Sequence, residues 1–113
     1  MKRVDKPWGY ELWWAVTEKY VGKILYVMCG HSLSYQYHKV KDESLYLRTG
    51  EIFVEIEEQG KELKKFILFP SESLRIVPFT KHRMTALADS ELFEVSTPEI
   101  DDIVRLEDRY GRE

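Results

Sequence analysis

The chain has 113 residues, 43% of them hydrophobic and 33% charged, and a formal net charge of −3. That is the size of a single domain, here 1–113, able to bury a core without disulfide or metal staples, and its composition excludes a disordered polymer. Charges of both signs are interspersed, which leaves no basic stripe for a nucleic-acid backbone, and no apolar run reaches the ~18 residues of a membrane span. Neither nucleic acid nor membrane is therefore an expected partner.

Taken in chain order, an aromatic segment holding Trp8, Tyr10, Trp13 and Trp14 comes first and is expected to cover a barrel edge or a dimer contact. Its leading residues contain no signal-peptide core. Short β-like runs follow: 21–28, 34–38, 43–47, 51–57, 63–69, 74–77, 82–87 and 91–96. Turn residues punctuate them, among them Cys29-Gly30-His31, Thr49-Gly50 and Gln59-Gly60. The run from Glu51 to Glu57 alternates, with Ile52, Val54 and Ile56 on one face. So many short, evenly spaced strands imply a sandwich or barrel. The segment Pro98 to Leu106 is the helix candidate: proline leads it, acids crowd its start and Arg105 and Arg109 sit later. Cys29 is the single cysteine, so no internal disulfide can form and a reducing, cytoplasmic location is expected.

Four residues of these segments suit a metal. Gln36 and His38 are two apart, so in a strand they leave one face. Glu43 opens the next apolar run, and His82 begins a later one in which His82, Met84 and Ala86 share a face. An amide oxygen, two imidazoles and a carboxylate fit one borderline divalent ion with open positions for water or substrate. Zinc is the first expectation, with manganese, cobalt, nickel and iron as alternatives. Inside a barrel, four such polar groups would be costly unless paired or coordinated.

This pattern resembles the cupin superfamily, whose first motif runs Gly-x₅-His-x-His-x₃₋₄-Glu-x₆-Gly. Here Gly30, Gln36, His38, Glu43 and Gly50 occupy it, with Gln36 in place of the first histidine. Pro78-Phe79-Thr80-Lys81-His82 resembles the second motif without its glycine. The resemblance implies an all-β double-stranded β-helix, or jelly roll, with a short C-terminal helix or tail. More closely, the chain is similar to the C-terminal cupin of type II mannose-6-phosphate isomerases, domains often fused to a mannose-1-phosphate guanylyltransferase. Lys6-Pro7-Trp8-Gly9, the run Cys29 to His38 and the tail Ile100 to Arg112 carry that similarity. The family's arginine, histidine and tryptophan around the metal glutamate are here Lys41, Ser44 and Leu45.

What the resemblance implies is a metal-dependent sugar-phosphate isomerase interconverting an aldose and a ketose, with a small sugar phosphate as partner. Lys41, Arg112 and Lys23 would bind the substrate. Lys41 and Glu94 would be the catalytic candidates. Glu94 sits mid-strand with apolar neighbours on both sides; facing inward it would titrate upward and act as a base, and facing outward it is a surface glutamate. A non-catalytic sugar- or nucleotide-sugar-binding cupin is the alternative function, and a small metal dioxygenase a third. Exposed sheet edges and the aromatic N-terminal segment lead to the expectation of a homodimer.

Overall fold

A computed structural model describes residues 1–108 and Tyr110. Eleven strands form two antiparallel sheets. In chain order they are β1 (Lys2–Lys6), β2 (Gly9–Val16), β3 (Val21–Val27), β4 (Tyr35–Tyr37), β5 (Glu43–Thr49) and β6 (Ile52–Glu57). There follow β7 (Lys64–Leu68), β8 (Ser73–Ile76), β9 (Lys81–Ala86), β10 (Ser90–Ser96) and β11 (Val104–Glu107). The larger sheet runs β1-β2-β3-β10-β5-β8 and the smaller β11-β4-β9-β6-β7. Their crossovers between non-consecutive strands make the jelly roll. Among the described residues there is no helix, hence none long and apolar enough to cross a membrane.

The alternation legible in β6 is realised: Ile52, Val54 and Ile56 are buried, and the residues between them are half-buried. Inward residues of the other central strands show how the interior is divided. Leu45 and Leu47 follow Glu43 on β5, Met84 and Ala86 follow His82 on β9, and Leu92 precedes Glu94 on β10. On β3, Val27 and Leu25 stand beside Lys23. Each row passes from apolar to ionisable residues, with Val21 closing the β3 row beyond Lys23 and Ser96 the β10 row beyond Glu94. One end of the sandwich is therefore a packed core, in which each fully buried aliphatic side chain contributes roughly 1.5–3 kcal/mol. The other end is a polar chamber. Trp8, expected on an edge, is 2% exposed and belongs to the core instead.

The motif glycine Gly50 has φ +99°, and a Cβ there would lie 2.1 Å from Ser90 Oγ, so no side chain fits.

The C-terminal segment differs from the helix expected over Pro98 to Leu106. It makes a turn and then β11, which pairs with β4 in the register Val104↔Tyr37 and Arg105↔Gln36. Two causes override the helix signals. Ile100, Ile103 and Val104 are β-branched, and β4 offers an open edge to pair with. The acids that would have complemented a helix N-terminus are used elsewhere: the Asp102 carboxylate accepts N–H bonds from Lys39 (3.1 Å), Val40 (2.7 Å) and Lys41 (2.8 Å). The segment is thus a strap across the loop between β4 and β5.

Candidate metal centre and its cavity

The polar end of the barrel brings His38, Glu43 and His82 into one buried group whose donor atoms all lie within 4.8 Å of one another. Glu43 Oε1 is 3.5 Å from His38 Nε2 and 3.6 Å from His82 Nε2. The imidazoles are tilted by 49° with centroids 5.3 Å apart. Both outer nitrogens are engaged: His82 Nδ1 meets the Thr80 carbonyl at 2.9 Å, and His38 Nδ1 meets the Asp102 carbonyl. A carbonyl only accepts, so each Nδ1 carries a proton, and in the metal-binding tautomer Nε2 presents its lone pair to the chamber.

Neither Nε2 has a hydrogen-bond partner among the described residues, and both are fully buried. Two lone pairs aimed at a carboxylate oxygen repel it unless a cation lies between them. Donor atoms ~2.1 Å from a tetrahedral ion stand about 3.4 Å apart, close to the 3.5 and 3.6 Å observed. The group fits a divalent ion. Gln36 is buried, pairs with His82 across β4 and β9, and lines the same chamber, with Ser34 Oγ 3.2 Å from its Oε1. Phe79, at φ +62°, donates its N–H to the His38 carbonyl at 2.7 Å and so ties the His38 and His82 loops together.

Lys41 enters the chamber rather than standing in solvent at the loop tip. Its Nζ lies 3.1 Å from Glu43 Oε2 and 3.3 Å from Glu94 Oε2. Burial works to lower the Lys41 pKa, but Glu94 and Glu43 outweigh it and raise it, so the ammonium stays charged. Burial likewise works to raise that of Glu43, but contact with His38 and the charge of Lys41 outweigh it and hold it well below the carboxylate range. Burial and the neighbouring Glu43 charge push the Glu94 carboxyl up, against the pull of Lys41 and Lys23. Glu94 thus faces inward, and its Oε2 makes no hydrogen bond although it touches Lys41 as an ion pair.

Gln36, His38, Lys41, Glu43 and Glu94 open onto a cavity of about 590 Å³, within the size range of small-ligand sites. Lys23 also lines it, buried and held 3.4 Å from Glu11, which accepts the Trp13 indole N–H at 2.8 Å. Trp13, expected at a barrel edge or a dimer contact, lines this cavity, and Glu11 did not stand out in the sequence, because Gly9 to Val16 mixes aromatic and polar residues without a clean alternation. Arg112, the remaining substrate-binding candidate, lies outside the described residues.

No protein-family model matches the chain, and no curated protein sequence matches it. Solved structures do. KdgF from Halomonas sp. superposes with a TM-score of 0.75 at 22% identity, over 89% of this chain and 91% of that one. The capsular polysaccharide assembling protein CapF from Staphylococcus aureus gives 0.76 at 14% identity, over 95% of this chain and 34% of that one. A cupin-superfamily protein from Desulfitobacterium hafniense gives 0.67 at 14% identity, over 77% and 74%. The fold is a cupin jelly roll. The chain spans about a third of the CapF chain, and its two histidines and glutamate sit at the polar end of the barrel.

Proposed function

We propose that the protein is a metal-dependent sugar-phosphate isomerase of the mannose-6-phosphate isomerase type. The observation that carries this reading is the shared chamber: orphaned His38 and His82 nitrogens about Glu43, with the Lys41–Glu94 pair beside them. A divalent ion held by Gln36, His38, Glu43 and His82 would supply Lewis acidity to a sugar carbonyl and its neighbouring hydroxyl. The name of CapF, a capsular polysaccharide assembling protein, supports a carbohydrate ligand.

Aldose–ketose interconversion moves one proton between adjacent carbons. A base removes the C2 proton, and the C2–H electrons form a C1=C2 double bond while the C1 carbonyl oxygen takes up a proton, matched by the one O2 later gives up, to become an enediol hydroxyl. Return of the proton to C1 and loss of the O2 proton leave the ketose. Glu94, buried and pushed toward a higher pKa, is suited to carry that proton. Lys41 fixes the Glu94 carboxylate and keeps Glu43 ionised for the metal.

The test is turnover of mannose 6-phosphate to fructose 6-phosphate by metal-loaded protein. Glu94→Gln should lower kcat by about 10²–10⁴, the usual contribution of a positioned base. Absence of turnover in metal-loaded wild type removes the isomerase reading. A second reading, a sugar-binding cupin without catalysis, is favoured by Lys41 itself, because its ammonium already engages both carboxylates that chemistry would need free.

A further inference from the structure

Six basic and five acidic side chains line the cavity, in a chain with seventeen basic and twenty acidic residues overall. A divalent ion would make the lining more cationic still. Most of the basic groups are committed. Lys41 and Lys23 are ion-paired, Arg3 binds Asp5, and Lys2 lies over the Trp13 ring, its Nζ 4.8 Å from the centroid. Arg105 makes no ion pair and no side-chain hydrogen bond with any described residue, and its Nε is buried without a partner. An unpaired buried guanidinium N–H is unfavourable, so its place in a cavity wall indicates a ligand's position.

The β11–β4–β9 register determines where that position is. Arg105 pairs with Gln36, and Gln36 pairs with His82. Residues paired directly across strands share a face, so the three form one row, ~10 Å between its end Cα positions at the usual strand spacing. Arg105 also borders a side recess of about 60 Å³, shared with Lys6, Ser34, Gln36 and Glu11. The recess has about a tenth of the volume of the main cavity, which suits a small anionic group better than a second sugar ring. The Glu11 carboxylate there is already neutralised by Lys23.

We propose that Arg105 grips the terminal phosphate of the substrate while the oxygens at the opposite end of the same molecule face His38, Glu43 and His82. This rests on the sugar-phosphate reading above and assigns its phosphate to β11 rather than to Lys41. The guanidinium fork matches two phosphate oxygens at once, and the dianion matches the cationic lining.

The test is calorimetric binding of mannose 6-phosphate, mannose and mannuronate to metal-loaded wild type, Arg105→Ala and Arg105→Lys. Arg105→Ala should weaken mannose 6-phosphate binding by about 10- to 100-fold, the loss of a charged hydrogen bond, and leave mannose within about twofold. Arg105→Lys should fall between, which retains a readout if the alanine variant folds poorly. Unchanged mannose 6-phosphate affinity in both variants overturns the assignment, as it would if Arg105 paired with the orphaned Glu99 carboxylate in solution. Mannuronate binding as tightly as mannose 6-phosphate, with the same loss on substitution, overturns the phosphate in favour of a carboxylate. The two readings can fail separately. Arg105-dependent binding without turnover sinks the isomerase and keeps the anion site. Turnover with an unchanged KM in Arg105→Ala sinks the anion site and keeps the isomerase.

Discussion

The main-chain carbonyl of Asp102 receives the Nδ1 proton of His38, while the same residue's carboxylate holds the loop that follows His38. One residue therefore sets both the tautomer of a metal-facing imidazole and the path of the chain to Lys41 and Glu43. Burial works to raise the Asp102 pKa, but the N–H groups of Lys41, Val40 and Lys39 outweigh it and lower it.

Asp102→Ala should remove those three backbone contacts. Because the carboxylate is partly exposed, the cost is discounted to about 1–2 kcal/mol in a denaturant titration. The main-chain carbonyl that orients His38 survives the substitution, so metal affinity should fall only as far as the released strap shifts that carbonyl, by less than about tenfold. Unchanged affinity would mean that the strap does not orient His38.

Lys41→Met should leave Glu43 and Glu94 buried without their shared cation. Breaking a buried pair in this way costs about 3–5 kcal/mol, measured as urea stability of the metal-free protein. Loading with zinc should recover part of the loss, since the ion neutralises Glu43. Equal losses with and without metal would place the ion away from Glu43.

Acid should loosen the metal-free chamber, starting with His82. Burial above all depresses its pKa below the ordinary 6.5, so between its folded value and 6.5 the unfolded chain binds the proton and the folded one does not. Its contribution is complete above pH 6.5 and is lost as pH falls through that window. Glu43 is also depressed, so its contribution is complete above the ordinary 4.5 and is lost at lower pH. Glu94 is raised and runs the other way, its penalty growing as pH rises from 4.5 toward its folded value. In a Glu94→Gln background, which removes that opposition, Tm should fall between pH 6.5 and 5. A Tm that holds or rises there would contradict a neutral buried His82.

Much of this architecture was legible before any coordinates. Strands β3 and β5 to β10 follow the alternation of apolar residues, and that alternation placed Glu43 and His82 on inward faces because Leu45, Leu47, Met84 and Ala86 share them. Strand β1 was not legible: Lys2 to Lys6 has one apolar residue, Val4, and is a strand because β2 supplies the ladder, Lys2↔Trp13 through Lys6↔Gly9. Strand β11 was misread as a helix because Asp101 and Asp102 look like helix-start acids until the loop bound by Asp102 is known. Lys41 was named as a site residue, but its contact with Glu43 and Glu94 was not legible. A lysine in a polar loop looks solvated, and only the fold shows two carboxylates converging on it.

The outer face of the larger sheet carries exposed apolar side chains, among them Trp14, Tyr46 and Val95. The expectation of a homodimer gives a sedimentation mass of twice the 13.5 kDa chain. A monomer at tens of micromolar would leave that face without a like partner.

Metal content by mass spectrometry of wild type and of the His38→Ala/His82→Ala double variant tests the central claim most directly. Wild type is expected to carry close to one divalent ion per chain and the folded double variant essentially none. Full occupancy in the double variant would put the metal somewhere other than the polar end of this barrel.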